Sequence, residues 1–136
     1  MKVIRIDHVA MIVDDLAAML GLLRTFGLTL ESAEEVPQFG AMSSMVSAGN
    51  ANIELLSASD PSGGCARQLE KRGAGLHHVC LEVESLETAI AELNEHGLKL
   101  VDGEPWVDSA GRRVWLHPQS GQGVLFGIFE RHPAGK

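Results

Sequence analysis

Residues 6–30, IDHVAMIVDDLAAMLGLLRTFGLTL, lie over residues 76–100, LHHVCLEVESLETAIAELNEHGLKL, at a constant offset of 70 positions without a gap. His8 falls on His78, Val9 on Val79, Val13 on Val83, Leu16 on Leu86 and Leu23 on Leu93. Gly27, Leu28 and Leu30 then fall on Gly97, Leu98 and Leu100, and Ile6/Leu76, Met11/Leu81, Asp14/Glu84 and Leu20/Ile90 match in kind. Agreement over a whole ungapped segment marks an internal repeat of half the chain.

Each copy opens with an apolar segment of strand length, Ile6–Val13 and Leu76–Val83. Acidic and capping residues follow at Asp14–Asp15 and Glu84–Ser85, where a helix begins. Leu16, Met19, Leu20 and Leu23, and in the second copy Leu86, Ile90 and Leu93, have helical spacing, and their stripes read as core. Gly27 and Gly97 end these helices, since glycine adopts the left-handed conformation without steric cost. Two or three strands follow in each copy: Met42–Ser47 and Ala51–Leu56 in the first, Arg113–His117 and Gly123–Phe129 in the second. Ser57–Gly64 reads as a loop, Cys65–Arg72 as a short helix, and the tail from Arg131 to Lys136 as frayed.

The 136 residues suit one compact domain, and 45% hydrophobic with 21% charged residues is ordinary for a globular protein. A net charge of −7 argues against nucleic acid and anionic membranes as partners. Local pairs such as Lys71–Arg72 and Arg112–Arg113 leave a small anionic ligand open. Cys65 and Cys80 show no disulfide or C-x-x-C pattern, and no apolar run approaches the ~20 residues of a bilayer span, so a cytoplasmic location is expected.

Strand parity places His8 with Ala10 and Ile12, and His78 with Cys80 and Glu82. Glu54 lies between Ile53 and Leu55, where a carboxylate is costly to bury unless it is paired or binds an ion. Two imidazoles and a carboxylate suit a divalent ion such as zinc, cobalt, nickel, manganese or iron, and the duplication would bring His8 and His78 to equivalent places. Blander readings stand beside this one. Both histidines could be hydrogen-bonded structural residues repeated by ancestry, Glu54 could face solvent on an edge strand, and Cys80 could be a small core residue. Trp106 and Trp115 line a cavity or its rim, with the rim or a loop favoured for Trp106 because Pro105 precedes it.

The run Ile6-Asp7-His8-Val9-Ala10, followed by Ile53-Glu54-Leu55-Leu56, resembles the first half of a methylmalonyl-CoA epimerase. The run Leu69-Glu70-Lys71-Arg72-Gly73-Ala74-Gly75-Leu76-His77-His78-Val79 resembles that family closely, as do Leu116-His117-Pro118 and Gly123-Val124-Leu125. The wider relatives form the vicinal oxygen chelate group: glyoxalases, extradiol dioxygenases and bleomycin or fosfomycin resistance proteins. The resemblance implies an α+β fold of two tandem βαβββ modules, about 1–58 and 74–130, whose curved mixed sheets surround a shared metal cavity in a single domain. It also implies metal ligands His8, Glu54 and His78, and a homodimer.

Two positions depart from the epimerase pattern. The family's fourth ligand, a glutamate, falls on Gly127, and a glutamate thought to move a proton falls on Ser43. With both missing, the candidates for proton transfer are Glu82, Cys80, His117 and Ser43 itself. The expected function is a metal-dependent isomerase or epimerase stabilising the enolate of a small acyl-CoA or related carbonyl compound. The alternatives are a metal-dependent lyase or decarboxylase, an Fe(II) oxygenase, and a ligand-sequestering protein of the resistance type.

Overall fold

The computed structural model describes residues 1–133. Its elements are β1 (Val3–Ile12), α1 (Leu16–Thr25), β2 (Leu30–Val36), β3 (Ala41–Ser47), β4 (Asn52–Ala58), α2 (Gly64–Arg72), β5 (Gly75–Val83), α3 (Leu86–Glu95), β6 (Trp106–Val107), β7 (Gly111–Leu116) and β8 (Phe126–Arg131). The order strand, helix, three strands occurs twice, giving an α+β fold of two βαβββ modules with α2 between them.

The chain divides into two compact units: an N-terminal unit, His8–His77, and a C-terminal unit, which takes Met1–Asp7 and the chain from His78 onward. In the N-terminal unit the strands run β2-β3-β4-β1. There β1 is parallel to β4, and the other two pairings are antiparallel. The C-terminal unit repeats this as β6-β7-β8-β5, again with the outermost-in-sequence pair, β5 and β8, parallel.

In both units the helix packs on one face of the sheet. Val13, Leu23, Val46 and Leu55 form a core with the apolar stripe of α1. Val83, Leu86, Ala89, Leu93, Val114, Leu116 and Ile128 do the same with α3. Burial at about 25 cal/mol per Å² of apolar surface drives this packing, and it leaves the opposite sheet face for other residues. The caps repeat as well. Asp15 accepts from the Ala18 N–H at 3.0 Å and Ser85 from the Thr88 N–H at 3.2 Å. At the other end Gly27 (φ 83°) and Gly97 (φ 69°) allow Leu28 and Leu98 to donate back to the carbonyls of Leu23 and Leu93 at 3.0 Å.

Several expected boundaries move. Strand β2 has no counterpart among the expected strands, because LESAEEV is exposed along nearly its whole length and carries no apolar alternation. Ser57 and Ala58 extend β4, and Gly64 opens α2, so the loop between them is shorter than expected. Strand β8 begins at Phe126, not Gly123: Gln122 (φ 60°) and Gly123 (φ 89°) are left-handed, and the Gly123 N–H donates to the Pro118 carbonyl at 2.8 Å. Of the tail expected to fray, Arg131 lies in β8 and the His132 N–H donates to the Ala110 carbonyl at 2.9 Å, whereas Ala134–Lys136 lie outside the described residues.

Gly111 shows how closely β7 and β8 pack. A Cβ there would overlap the Glu130 carbonyl and lie 2.9 Å from Arg131 Cα and 2.8 Å from Phe129 Cε1. Gly111→Ala is expected to cost about 1–3 kcal/mol through forced separation of the strands. A thermal melt followed by circular dichroism checks this, and an unchanged midpoint would show that the strands yield freely.

Candidate active site

On the face of the N-terminal sheet away from α1, His8, Ala10 and Ile12 of β1 stand beside Glu54 and Leu56 of β4, with Ala10 and Glu54 as paired Cα positions. Glu54 is only 8% exposed and His8 1%, too little for a solvated carboxylate. Nor is β4 an edge strand, since β1 and β3 flank it on either side. The solvent-facing alternative for Glu54 is therefore excluded.

His8 Nε2 lies 3.4 Å from Glu54 Oε1. The other carboxylate oxygen, Oε2, accepts a 2.6 Å hydrogen bond from Ser43 Oγ. Register explains the second contact. Ser43 pairs with Leu56 and Met45 with Glu54, so Ser43 and Glu54 are diagonal neighbours on one face. Such neighbours are about 7–8 Å apart at Cα, within reach of a glutamate side chain.

On the corresponding face of the C-terminal unit, His78, Cys80 and Glu82 are all buried along β5, as parity requires. Cys80 pairs with Gly127 as Ala10 does with Glu54, and Trp115 pairs with Gly127 as Met45 does with Glu54. The backbone thus identifies Gly127 as the repeat partner of Glu54. Trp115 fills the space a side chain at Gly127 would take: a Cβ there would stand 3.0 Å from the indole Cζ3 and 3.2 Å from Cys80 Sγ. The same indole meets the His78 ring edge-on at 4.6 Å between centroids and touches Trp106 at 5.6 Å. Its Nε1 is buried without a hydrogen-bond partner among the described residues. Trp106 sits half-buried on the two-residue β6, with Nε1 donating to Asp102 Oδ2 at 2.7 Å.

The residues considered for proton transfer are variously engaged. Glu82 Oε1 lies 3.4 Å from Arg5 Nη1 and 3.3 Å from Arg131 Nη2, and Arg131 also donates to Asp7. Sequence reading did not pick out this cluster, which joins three strands and has no local spacing. His117 follows β7, and its Nδ1 accepts from the Gln119 N–H at 3.1 Å, so its proton sits on Nε2 when the ring is neutral. Cys80 is fully buried. Of the basic pairs, Arg112 meets Glu130 at 3.3 Å and Arg113 meets Asp108 at 2.6 Å, so acidic groups of the chain itself take up both guanidiniums. Burial pushes the Cys65 thiol up, consistent with a core role on the buried side of α2.

Residues 7–115 match the family model described as the Glyoxalase/Bleomycin resistance protein/Dioxygenase superfamily. An ethylmalonyl-CoA/methylmalonyl-CoA epimerase of Cereibacter sphaeroides is 35% identical over 125 residues, 89% of this chain and 93% of its own. The crystal structure of methylmalonyl-CoA epimerase from Mycobacterium tuberculosis superposes with a TM-score of 0.89 at 27% identity, covering 96% of this chain and 90% of the other. A methylmalonyl-CoA epimerase in complex with methylmalonyl-CoA and NH4+ gives a TM-score of 0.87 at 25% identity, with 96% of each chain covered.

Proposed function

Since the chain belongs to the glyoxalase/bleomycin resistance protein/dioxygenase superfamily, we propose that it is a metal-dependent, epimerase-like enzyme acting on a small acyl-CoA or related carbonyl substrate. The single observation that carries this reading is the buried Glu54 carboxylate facing the His8 imidazole at 3.4 Å. A carboxylate is buried only with polar partners or an ion to hold it, and Glu54 with the imidazole beside it offers two donor types that suit a divalent ion. His8, Glu54 and His78 are each buried, and two imidazoles with one carboxylate suit a divalent transition metal. The acyl-CoA class is supported by the names of the relatives, among them an epimerase for ethylmalonyl-CoA and methylmalonyl-CoA.

A bound ion supplies Lewis acidity that favours enolate character on a chelated carbonyl. The protein's part is to fix the ligands and keep the ion's surroundings dry, which the burial of His8, Glu54 and His78 provides. In this reading Ser43 and Gly127 stand where the epimerases carry glutamates. The Ser43 hydroxyl is committed to Glu54, and two guanidiniums hold Glu82. That engagement favours a second reading, a lyase or decarboxylase, in which the enolate forms by loss of carbon dioxide and no base is required.

Methylmalonyl-CoA in deuterium oxide separates the two. Epimerisation places one deuterium on the α-carbon with the carboxylate retained, whereas decarboxylation releases that carboxylate as carbon dioxide and gives propionyl-CoA carrying the solvent deuteron at the α-carbon. Neither product from metal-loaded protein would dismiss both readings. Metal itself is tested by elemental analysis and thermal melting. With ion at 100 times its Kd the expected stabilisation is about 2.7 kcal/mol, and no shift with any of the five metals would remove the ion from the account.

The single-domain organisation, a cytoplasmic location and a homodimer complete the proposal. No helix among the described residues is long and apolar enough to cross a membrane, and Cys65 and Cys80 are buried and not joined in a disulfide. Val3, Ile4 and Ile6 of β1 are each nearly half exposed, an apolar stretch that a second copy would cover. Light scattering is expected to give twice the chain mass of 14.6 kDa; a monomer at micromolar concentration would count against the dimer.

A further inference from the structure

Ser43 donates a 2.6 Å hydrogen bond to one oxygen of Glu54 while the other oxygen faces His8. We infer that Ser43 is a positioning residue for the metal site, one that holds the Glu54 carboxylate in a single orientation with Oε1 presented to the ion. The inference rests on the metal reading above and adds a role to it.

Three features support it. Ser43 is buried, at 6% exposure, so solvent does not compete for its hydroxyl. The bond joins an uncharged donor to a carboxylate at a distance typical of strong charge-assisted hydrogen bonds. It also crosses between adjacent strands at fixed antiparallel register, so the hydroxyl cannot drift relative to the carboxylate. A hydrogen bond of this kind fixes the plane of the Glu54 carboxylate and would favour Oε1, the oxygen facing His8, as the ligand atom. Groups that orient a metal's ligands in this way are worth about 10–100-fold in affinity.

The same geometry removes Ser43 from the proton-transfer candidates. Its own proton already points to Glu54, and a neutral hydroxyl is too weak a base to take a proton from carbon. Any contribution from Ser43 to turnover therefore runs through Glu54.

The test uses Co(II), whose visible spectrum reports ligand number and geometry. Ser43→Ala is expected to lower Co(II) affinity about 10–100-fold and to change the absorption envelope as Glu54 becomes free to turn. Ser43→Thr, which keeps the hydroxyl, is expected to restore both. Wild-type affinity and spectrum in Ser43→Ala would overturn the positioning role while leaving the metal site in place. Equal loss in Ser43→Thr would assign the effect to packing and overturn it too. No Co(II) binding by the wild type would instead bring down the metal reading itself, and the positioning role with it.

Discussion

His8→Ala is expected to abolish stoichiometric metal binding. The variant removes a proposed ligand atom, so the loss should exceed the ~10–100-fold typical of changes one shell further out. Its thermodynamic signature is specific. In the wild type a saturating ion at 100 times Kd contributes about 2.7 kcal/mol, or roughly 10 °C for a chain of this size. In His8→Ala that increment should vanish. The metal-free variant should also melt below the metal-free wild type, because Glu54 loses the imidazole beside it while keeping its bond to Ser43. His96→Ala is the control: His96 caps the exposed end of α3, and its loss should leave the metal-induced shift intact. Equilibrium dialysis with Co(II) and paired melts with and without the ion read both quantities. Retention of the full metal-induced shift in His8→Ala would place the ion elsewhere.

How much of this was legible beforehand depends on what each feature requires. The offset of 70 between the two copies carries through to the structure as matching helices, matching caps and matching glycine stops. These are local devices, written within a few residues of where they act. Parity along β1 and β5 was equally readable, and it put His8 and His78 on buried faces. Ile53–Leu56 lie over Phe126–Phe129 at a shift of 73, and Glu54 and Gly127 accordingly take identical strand pairing in the two units. By contrast, β2 is polar and exposed, with nothing for a hydrophobic pattern to detect. The Ser43–Glu54 bond needs the register between β3 and β4, and the Arg5, Glu82, Arg131 and Asp7 cluster needs three strands side by side. Register between strands is set by the whole sheet. No spacing along the chain announces it, which is why Ser43 read as an isolated substitution when it is a partner.

The same distinction governs the second large effect. Read as sequence, Gly127 is a missing ligand, and Gly127→Glu should restore it. The structure predicts the opposite. The first added carbon would stand 3.0 Å from Trp115 Cζ3 and 3.2 Å from Cys80 Sγ, before any carboxylate is placed. Overpacking of this kind costs about 1–3 kcal/mol, and a carboxylate buried without a partner adds several more. Relief requires Trp115 to leave its edge-on contact with His78, which loosens a proposed ligand in the act of supplying another. Gly127→Glu alone is therefore expected to melt well below the wild type and to bind Co(II) no more tightly. Gly127→Glu with Trp115→Ala removes the obstruction, since the indole is the principal neighbour at that point, and should recover part of the lost stability and show a further oxygen ligand in the Co(II) spectrum. If Gly127→Glu alone gains affinity at unchanged stability, the indole is not an obstacle and the glycine reflects nothing about the packing around it. If the pair behaves as predicted, Trp115 and Gly127 act as one unit: the glycine makes room for the indole, and the indole takes the place of a carboxylate beside His78.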